Sequence, residues 1–131
     1  MIVLDASAAI EWLLRTGVGQ RIEPRLFGEG ETLHAPHLLD VEVAQVLRRF
    51  AAAGRITSER GREALEDLTD LAAIRYPHQV LLTRTWELRD NLTAYDATYV
   101  ALAEALGAVL VTCDARLADA PGHQARVEVF G

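Results

Sequence analysis

The sequence contains no lysine, and arginine supplies all 13 of its Lys and Arg residues. This absence excludes several classes of protein at once. Without lysine there is no P-loop that grips a nucleotide phosphate and no Schiff-base nucleophile. The lysine that receiver domains and aspartate-nucleophile phosphatases place beside their aspartates is absent too.

Cysteine and long apolar runs are also scarce. Cys113 is the single cysteine, so the chain can form neither an internal disulfide nor a cysteine-based zinc site. No apolar run approaches the roughly 18 residues of a membrane span. Met1 leads directly into an apolar stretch, without the basic region that opens a signal peptide. We therefore expect a cytoplasmic protein that does not enter a membrane.

Charge and hydrophobicity limit the remaining classes. The net charge of −6 has the wrong sign for a protein that binds nucleic acid through its bulk charge. Hydrophobic residues make up 50% of the 131 residues, which is enough for a substantial core. We expect one domain that spans residues 1–131.

Short apolar runs alternate with helical patterns along the chain. Strands are predicted at residues 2–4, 32–35, 73–76, 108–112 and 126–130. Helices are predicted at residues 8–15, 37–53, 59–74, 80–92 and 93–107, with a short helix after residue 114 and a weak helical pattern at 20–30 that Pro24 breaks. This alternation predicts an α/β fold with a central parallel sheet of about five strands flanked by helices.

Four acidic residues are expected at the same edge of that sheet. Asp5 ends the first strand, Glu42 lies on the inward stripe of the helix after the second strand, and Asp114 follows the fourth strand. Asp96 opens the helix that leads into the fourth strand. Carboxylates gathered in a pocket of low dielectric repel each other, and a hard divalent cation such as Mg²⁺ or Mn²⁺ relieves that repulsion. Phosphodiester hydrolysis is the reaction that such a site favours.

Each of these acids also has a plainer interpretation. Asp5 and Asp114 are good helix caps, and Asp96 fits a capping box with Thr93. Glu42 could pair with an arginine or reach solvent.

Four further polar residues near the acids are weaker candidates. Ser7 and Thr112 are helix caps or strand-end hydroxyls that could also orient the carboxylates. Asn91 and Asp119 have the composition of turn residues and are the weakest of the candidates.

Arginines cluster between residues 48 and 62. Arg48, Arg49 and Arg55 belong to this cluster, which only Glu59 opposes. Such a patch could carry a nucleic-acid backbone past an acidic pocket. A solvated helical face explains it equally well.

Three blocks of sequence together resemble a known family. They are MIVLDASA at residues 1–8, PHLLDVEVAQVLRR at 36–49 and AYDATYVALAEALGAVLVTCDARL at 94–117. In this order they resemble the PIN-domain ribonucleases, and among them the VapC toxins of bacterial toxin–antitoxin pairs. The resemblance covers nearly the whole chain and implies metal-dependent cleavage of RNA with Mg²⁺, for which Mn²⁺ can substitute.

The resemblance also assigns roles to residues. Asp5 and Asp96 match direct metal ligands, whereas Glu42 and Asp114 match acids that bind metal directly or through water and position the attacking water. Ser7 and Thr112 match supporting hydroxyls, and Asp119 lies near where some members carry a fifth acid. The family further implies a homodimer and inhibition by a small cognate antitoxin within a larger assembly.

Other functions stay open at the level of sequence. A PIN-like module could bind RNA or a protein without cleaving anything, although the complete set of acids disfavours this. A Mg²⁺-dependent DNA nuclease or phosphatase would use the same acids, because such a pocket contacts phosphate and metal rather than base edges.

Overall fold

The core of the molecule is one sheet in which every pair of neighbouring strands is parallel. The computed structural model describes all 131 residues. Its strands are β1 (Ile2–Leu4), β2 (Leu33–Pro36), β3 (Ala73–Tyr76), β4 (Val109–Thr112) and β5 (Arg126–Val129). They lie in the order β3-β2-β1-β4-β5, which confirms the predicted α/β class and the number of strands.

Seven α-helices connect these strands. They are α1 (Ala6–Leu13), α2 (Gly17–Leu26), α3 (Leu38–Ala52), α4 (Ser58–Asp70), α5 (Leu82–Glu87), α6 (Ala94–Leu106) and α7 (Ala115–Asp119). A 3₁₀ turn at Gln79–Leu81 precedes α5. None of these helices combines the length and the apolar character that crossing a bilayer would require.

The centre of the sheet is fully enclosed. All three residues of β1 are 0% exposed, as expected of a central parallel strand covered on both faces. Helix α6 is buried without a break from Ala97 to Ala103, and it contacts β1, β2 and β4. Its alanines allow close packing, so the buried part of α6 lies directly against the middle of the sheet.

The start of α1 differs from the prediction. The helix begins at Ala6 rather than residue 8, and Ser7 lies inside it instead of capping it. Ser7 Oγ donates to the Asp5 carboxylate and accepts from the Cys113 N–H after β4, so its hydrogen bonds join β1 to β4 rather than cap the helix.

Two other helices also differ from the prediction. Pro24 does not break α2, because Pro24 and Gln20 are both exposed and water can reach the Gln20 carbonyl that proline leaves without a donor. The helix predicted at 80–92 ends at Glu87, since Asp90 and Asn91 favour the turns that follow.

Candidate functional site

Asp5 leaves the carboxyl end of β1 with its side chain fixed by two hydroxyl groups. Its backbone N–H donates to the Val111 carbonyl of β4 at 3.0 Å. The Ser7 hydroxyl donates to Asp5 Oδ2 at 2.6 Å, and the Thr112 hydroxyl donates to the same oxygen at 2.7 Å. Asp5 is 6% exposed, so this carboxylate is buried in a fixed orientation.

The two hydroxyls are held in place by the backbone after β4. The Cys113 N–H donates to Ser7 Oγ at 2.9 Å, and the Asp114 N–H donates to Thr112 Oγ1 at 3.0 Å. Each hydroxyl therefore accepts from the backbone and uses its only proton on Asp5 Oδ2. Asp5 Oδ1 accepts no hydrogen bond from the protein and is left for another ligand.

Glu42 lies in the second turn of α3 and is bonded by a buried tyrosine. The Tyr99 hydroxyl, on α6, donates to Glu42 Oε1 at 2.6 Å. Tyr99 is 1% exposed, so the phenol anchors the glutamate from inside the core. This contact fixes the inward direction that the helical pattern predicted for Glu42.

Asp96 lies in the first turn of α6, where Thr93 forms the helix cap. The Asp96 N–H donates to Thr93 Oγ1 at 3.1 Å. A hydrogen bond with the Thr93 side chain lowers the pKa of the Asp96 carboxylate, against the effect of burial. The predicted cap at Thr93 is thus present, and no basic side chain pairs with Asp96.

Asp114 follows β4 and is paired with an arginine. It caps α7 through the Arg116 N–H at 3.0 Å, as the plainer interpretation of this residue predicted. The Arg116 guanidinium also bonds both carboxylate oxygens, with Nε 3.0 Å from Oδ1 and Nη2 2.5 Å from Oδ2. This pairing holds the pKa of Asp114 below its usual range.

The four acids influence one another electrostatically. Burial raises the pKa of Glu42, and the charges of Asp5 and Asp96 raise it further, against the hydrogen bond from Tyr99. Burial likewise raises the pKa of Asp96, followed by the charges of Asp5 and Asp114. The site therefore carries an excess of negative charge that a cation would relieve.

The donor set suits a hard, hydrated cation rather than a closed metal cage. All the available donors are carboxylate or hydroxyl oxygens, which Mg²⁺ and Mn²⁺ prefer. No three His, Cys, Asp or Glu side chains are arranged as a ready-made metal site. Mg²⁺ is commonly held by one or two carboxylates and completes its shell with water, so these residues fit such an ion.

The two weakest candidates lie on the surface and do not contact the four acids. Asp119 is the last residue of α7, is exposed and makes no side-chain hydrogen bond. Asn91 is exposed in the turn between α5 and α6, where its amide lies next to Gly122. Neither residue adds to the charge of the site.

The predicted arginines are at the other end of α3. Arg48 and Arg49 are two turns beyond Glu42, which places them roughly 10 Å along the helix axis. Arg48 bonds Gln45, and Arg55 lies 4.0 Å from the centre of the Phe50 ring. These contacts describe a solvated helical face, and the structure does not bring the arginines to the acids.

Two residues of the site were absent from the sequence prediction. Tyr99 follows Asp96 by three positions, and an inward-pointing glutamate with no assigned donor was the signal that could have found it. Arg116 follows Asp114 by two positions across the turn into α7, where neither helical nor strand periodicity applies.

Comparisons with known proteins agree with this architecture. The sequence profile of the PIN domain family matches residues 2–122. Ribonuclease VapC9 of Mycobacterium tuberculosis is 49% identical over 129 residues, which cover 98% of each chain. The crystal structure of PAE2754 from Pyrobaculum aerophilum has a TM-score of 0.70 and 27% identity, over 98% of this chain and 83% of that one.

A second solved structure shares the fold alone. VapBC2 from Rickettsia felis, crystallised with a DNA fragment from its promoter, has a TM-score of 0.72 at 14% identity and covers both chains fully. Because the family profile covers most of the residues and the similarity to VapC9 runs almost from end to end, the chain belongs to the PIN domain family and, within it, to the VapC ribonucleases.

Proposed function

We propose that this protein is a metal-dependent endoribonuclease that acts in the cytoplasm as the toxin of a toxin–antitoxin pair. The observation that supports the proposal most is the gathering of Asp5, Glu42, Asp96 and Asp114 around one charged site, in which Arg116 is the only cation bonded to them. RNA is the proposed substrate because a relative with 49% identity over nearly the whole chain is named a ribonuclease.

Mg²⁺ is the proposed cofactor, and Mn²⁺ can replace it. Asp5 and Asp96 would bind the ion directly, whereas Glu42 and Asp114 would bind it directly or through water. The bound ion would supply positive charge to the scissile phosphate and lower the pKa of a water molecule.

The remaining steps belong to side chains of this chain. Ser7 and Thr112 hold Asp5 Oδ2, so that Oδ1 faces its ligand without reorganisation. Tyr99 fixes Glu42, which orients the attacking water. Orienting the attacking water lowers the activation free energy, because a nucleophile already held in line with the phosphate needs no further ordering in the transition state.

Cleavage of RNA by the purified protein tests the proposal. Total RNA is incubated with Mg²⁺, with Mn²⁺ or with EDTA, beside the Asp5→Asn variant. Asparagine keeps the size of the side chain and an oxygen for the two hydroxyls, but it removes the charge. We expect discrete fragments in both metals, none in EDTA, and a loss of roughly 10²-fold or more in Asp5→Asn.

Asp67→Asn is the matched control. It removes the same charge from an exposed residue in the last turn of α4, which leads into the opposite edge of the sheet. This variant should cleave at the wild-type rate. Cleavage that survives EDTA, or an Asp5→Asn protein as active as the control, would contradict the proposal. Equal cleavage of single-stranded DNA of the same sequence would indicate a general nuclease.

We also propose that the protein forms a homodimer and that a small antitoxin binds it in a larger assembly. Support for a protein interface comes from the segment around α5, where Val80, Leu82 and Trp86 are 75%, 56% and 68% exposed. Light scattering of the purified chain measures its oligomeric state, and a monomer at micromolar concentration would exclude the dimer.

A further inference from the structure

Arg116 holds both oxygens of Asp114. Its guanidinium contacts Oδ1 and Oδ2 through Nε and Oδ2 through Nη2, and its backbone N–H also donates to Oδ1. No other basic side chain bonds any of the four acids. A cation that binds Asp114 must therefore take at least one oxygen that the arginine now occupies.

The ion pair between Arg116 and Asp114 is open to solvent, so another cation can replace the guanidinium. The Arg116 side chain is 82% exposed and Asp114 is 25% exposed, so water competes at every contact. Exposed ion pairs contribute little free energy, and although bidentate geometry strengthens this one, a divalent cation carries twice the charge of the guanidinium and can displace it. The Arg116 side chain hydrogen-bonds to no residue other than Asp114.

Arg116 also acts on the acids beyond its partner. Its charge lowers the pKa of Asp96, whereas burial and the charges of Asp5 and Asp114 raise it. The guanidinium thus supplies part of the positive charge that the site needs when no metal is bound.

We propose that Arg116 is the counterion of the metal-free site, that a divalent cation displaces it from Asp114, and that the released guanidinium then binds a phosphate of the RNA. The inference rests on the proposed function. The planar fork of arginine matches phosphate as well as carboxylate, and α7 begins directly after Asp114, at the carboxyl edge of the sheet. Arg116 is thus a substrate-binding residue controlled by metal occupancy.

Manganese affinity without RNA tests the first half of the proposal. Calorimetric titration with Mn²⁺ compares the wild type, Arg116→Gln and Arg62→Gln. Arg62 is the control because its side chain pairs only with Glu59 and Glu66 on α4, and its loss changes the net charge equally. We expect Arg116→Gln to bind Mn²⁺ about two- to fivefold more tightly, the range that loss of an exposed competing pair allows. Arg62→Gln should match the wild type.

Steady-state cleavage of one RNA oligonucleotide in saturating Mn²⁺ tests the second half. We expect Arg116→Gln to raise KM by about two- to fivefold with little change in kcat, since one exposed phosphate contact is lost. Arg116→Lys keeps the charge without the fork, so its Mn²⁺ affinity and KM should lie between those of the wild type and Arg116→Gln.

Failure of the inference about Arg116 can be distinguished from failure of the proposed function. If the wild type cleaves RNA but Arg116→Gln binds Mn²⁺ no more tightly, the counterion role is wrong and the proposed function stands. A loss in kcat at constant KM would overturn the phosphate contact. A wild-type protein that binds no Mn²⁺ would overturn both this inference and the proposed metal dependence.

Discussion

At the scale of the residue, Glu42 and Asp96 are the two acids whose charged forms are destabilised when the carboxylates lie together without a metal. Both have raised pKa values, first because of burial and then because of neighbouring carboxylates. The folded protein consequently binds protons at these groups more tightly than the unfolded chain does. The free energy of unfolding then falls as pH rises from the ordinary carboxyl pKa through the raised values.

Because the charged form of Glu42 lowers the free energy of unfolding, we predict that Glu42→Gln stabilises the protein when EDTA keeps the site free of metal. Glutamine removes the charge, and its side-chain oxygen still accepts from Tyr99, which lies 2.6 Å from Glu42 Oε1. At pH 7 we expect a melting temperature higher by on the order of 3 °C, the shift that about 1 kcal/mol gives a chain of this size. The gain should shrink as pH falls, because Glu42 of the wild type then becomes protonated.

Thermal melts across pH check this prediction, with Glu29→Gln as the control. Glu29 is exposed and forms neither a hydrogen bond nor a salt bridge, so its loss should leave the melting temperature unchanged. A Glu42→Gln protein that melts at or below the wild-type temperature at pH 7 would show that the charge of Glu42 does not destabilise the folded protein.

The sequence was sufficient to select the acids but not their partners. Asp5 and Asp114 were found because strand ends mark the edge of a parallel sheet, and Glu42 because it lay on an apolar stripe. Tyr99 was missed because the donor that satisfies a buried glutamate lies 57 residues away along the chain. Such a contact follows from packing, which local patterns do not contain.

At the scale of the element, α3 is anchored at its first turn by the end of β3. His37 precedes the helix without a side-chain cap, and the Leu38 N–H donates instead to His78 Nε2 at 2.8 Å. Arg75, on β3, bonds both oxygens of Asp40 and the Leu68 carbonyl. These contacts set the position of the helix that carries Glu42.

Loss of the His78 contact should therefore affect both stability and activity. We expect His78→Ala to lower the free energy of unfolding by about 1 kcal/mol, the usual effect of losing a helix cap. Its cleavage rate should fall as well, since Glu42 moves with the start of α3. His78→Gln offers a side-chain oxygen to the same N–H and should recover part of both.

Chemical denaturation and cleavage rates measure the two effects. Gln79→Ala is the control, because Gln79 follows His78 directly and its exposed side chain makes no hydrogen bond. If His78→Ala loses stability but cleaves at the wild-type rate, then the anchor of α3 does not position Glu42.

Local sequence patterns located the elements better than their ends. The strands β1 and β4 were evident as apolar, β-branched runs, and Gly107 ends α6 with a φ of 62°. The end of α5 was missed because the apolar pattern continues past Glu87 into turns that Asp90 and Asn91 favour. The path through Pro24 was missed because a local pattern does not show that Pro24 and Gln20 are both exposed. Alternation predicted the parallel sheet, and the continuous apolar runs of β1 and β4 are typical of the central positions that these strands occupy.

At the scale of the whole molecule, the order of the strands assembles the site. Because β1 and β4 are neighbours, with Leu4 paired to Val111, residues separated by more than 100 positions meet at one edge. The turns after α5 return the chain to that edge, and α6 starts there with Asp96. The sheet thus creates a single site from acids that no local segment could bring together.

A double-variant comparison tests this claim most directly. One RNA oligonucleotide is cleaved in Mn²⁺ by the wild type, by Asp5→Asn, by Asp96→Asn and by the variant with both changes. The four cleavage rates are then compared. Residues that act as a unit are not additive, so each single change should cost roughly 10²-fold or more and the pair should be no slower than the worse single variant. A single variant with the wild-type rate, or a pair that loses the product of both effects, would contradict a shared site.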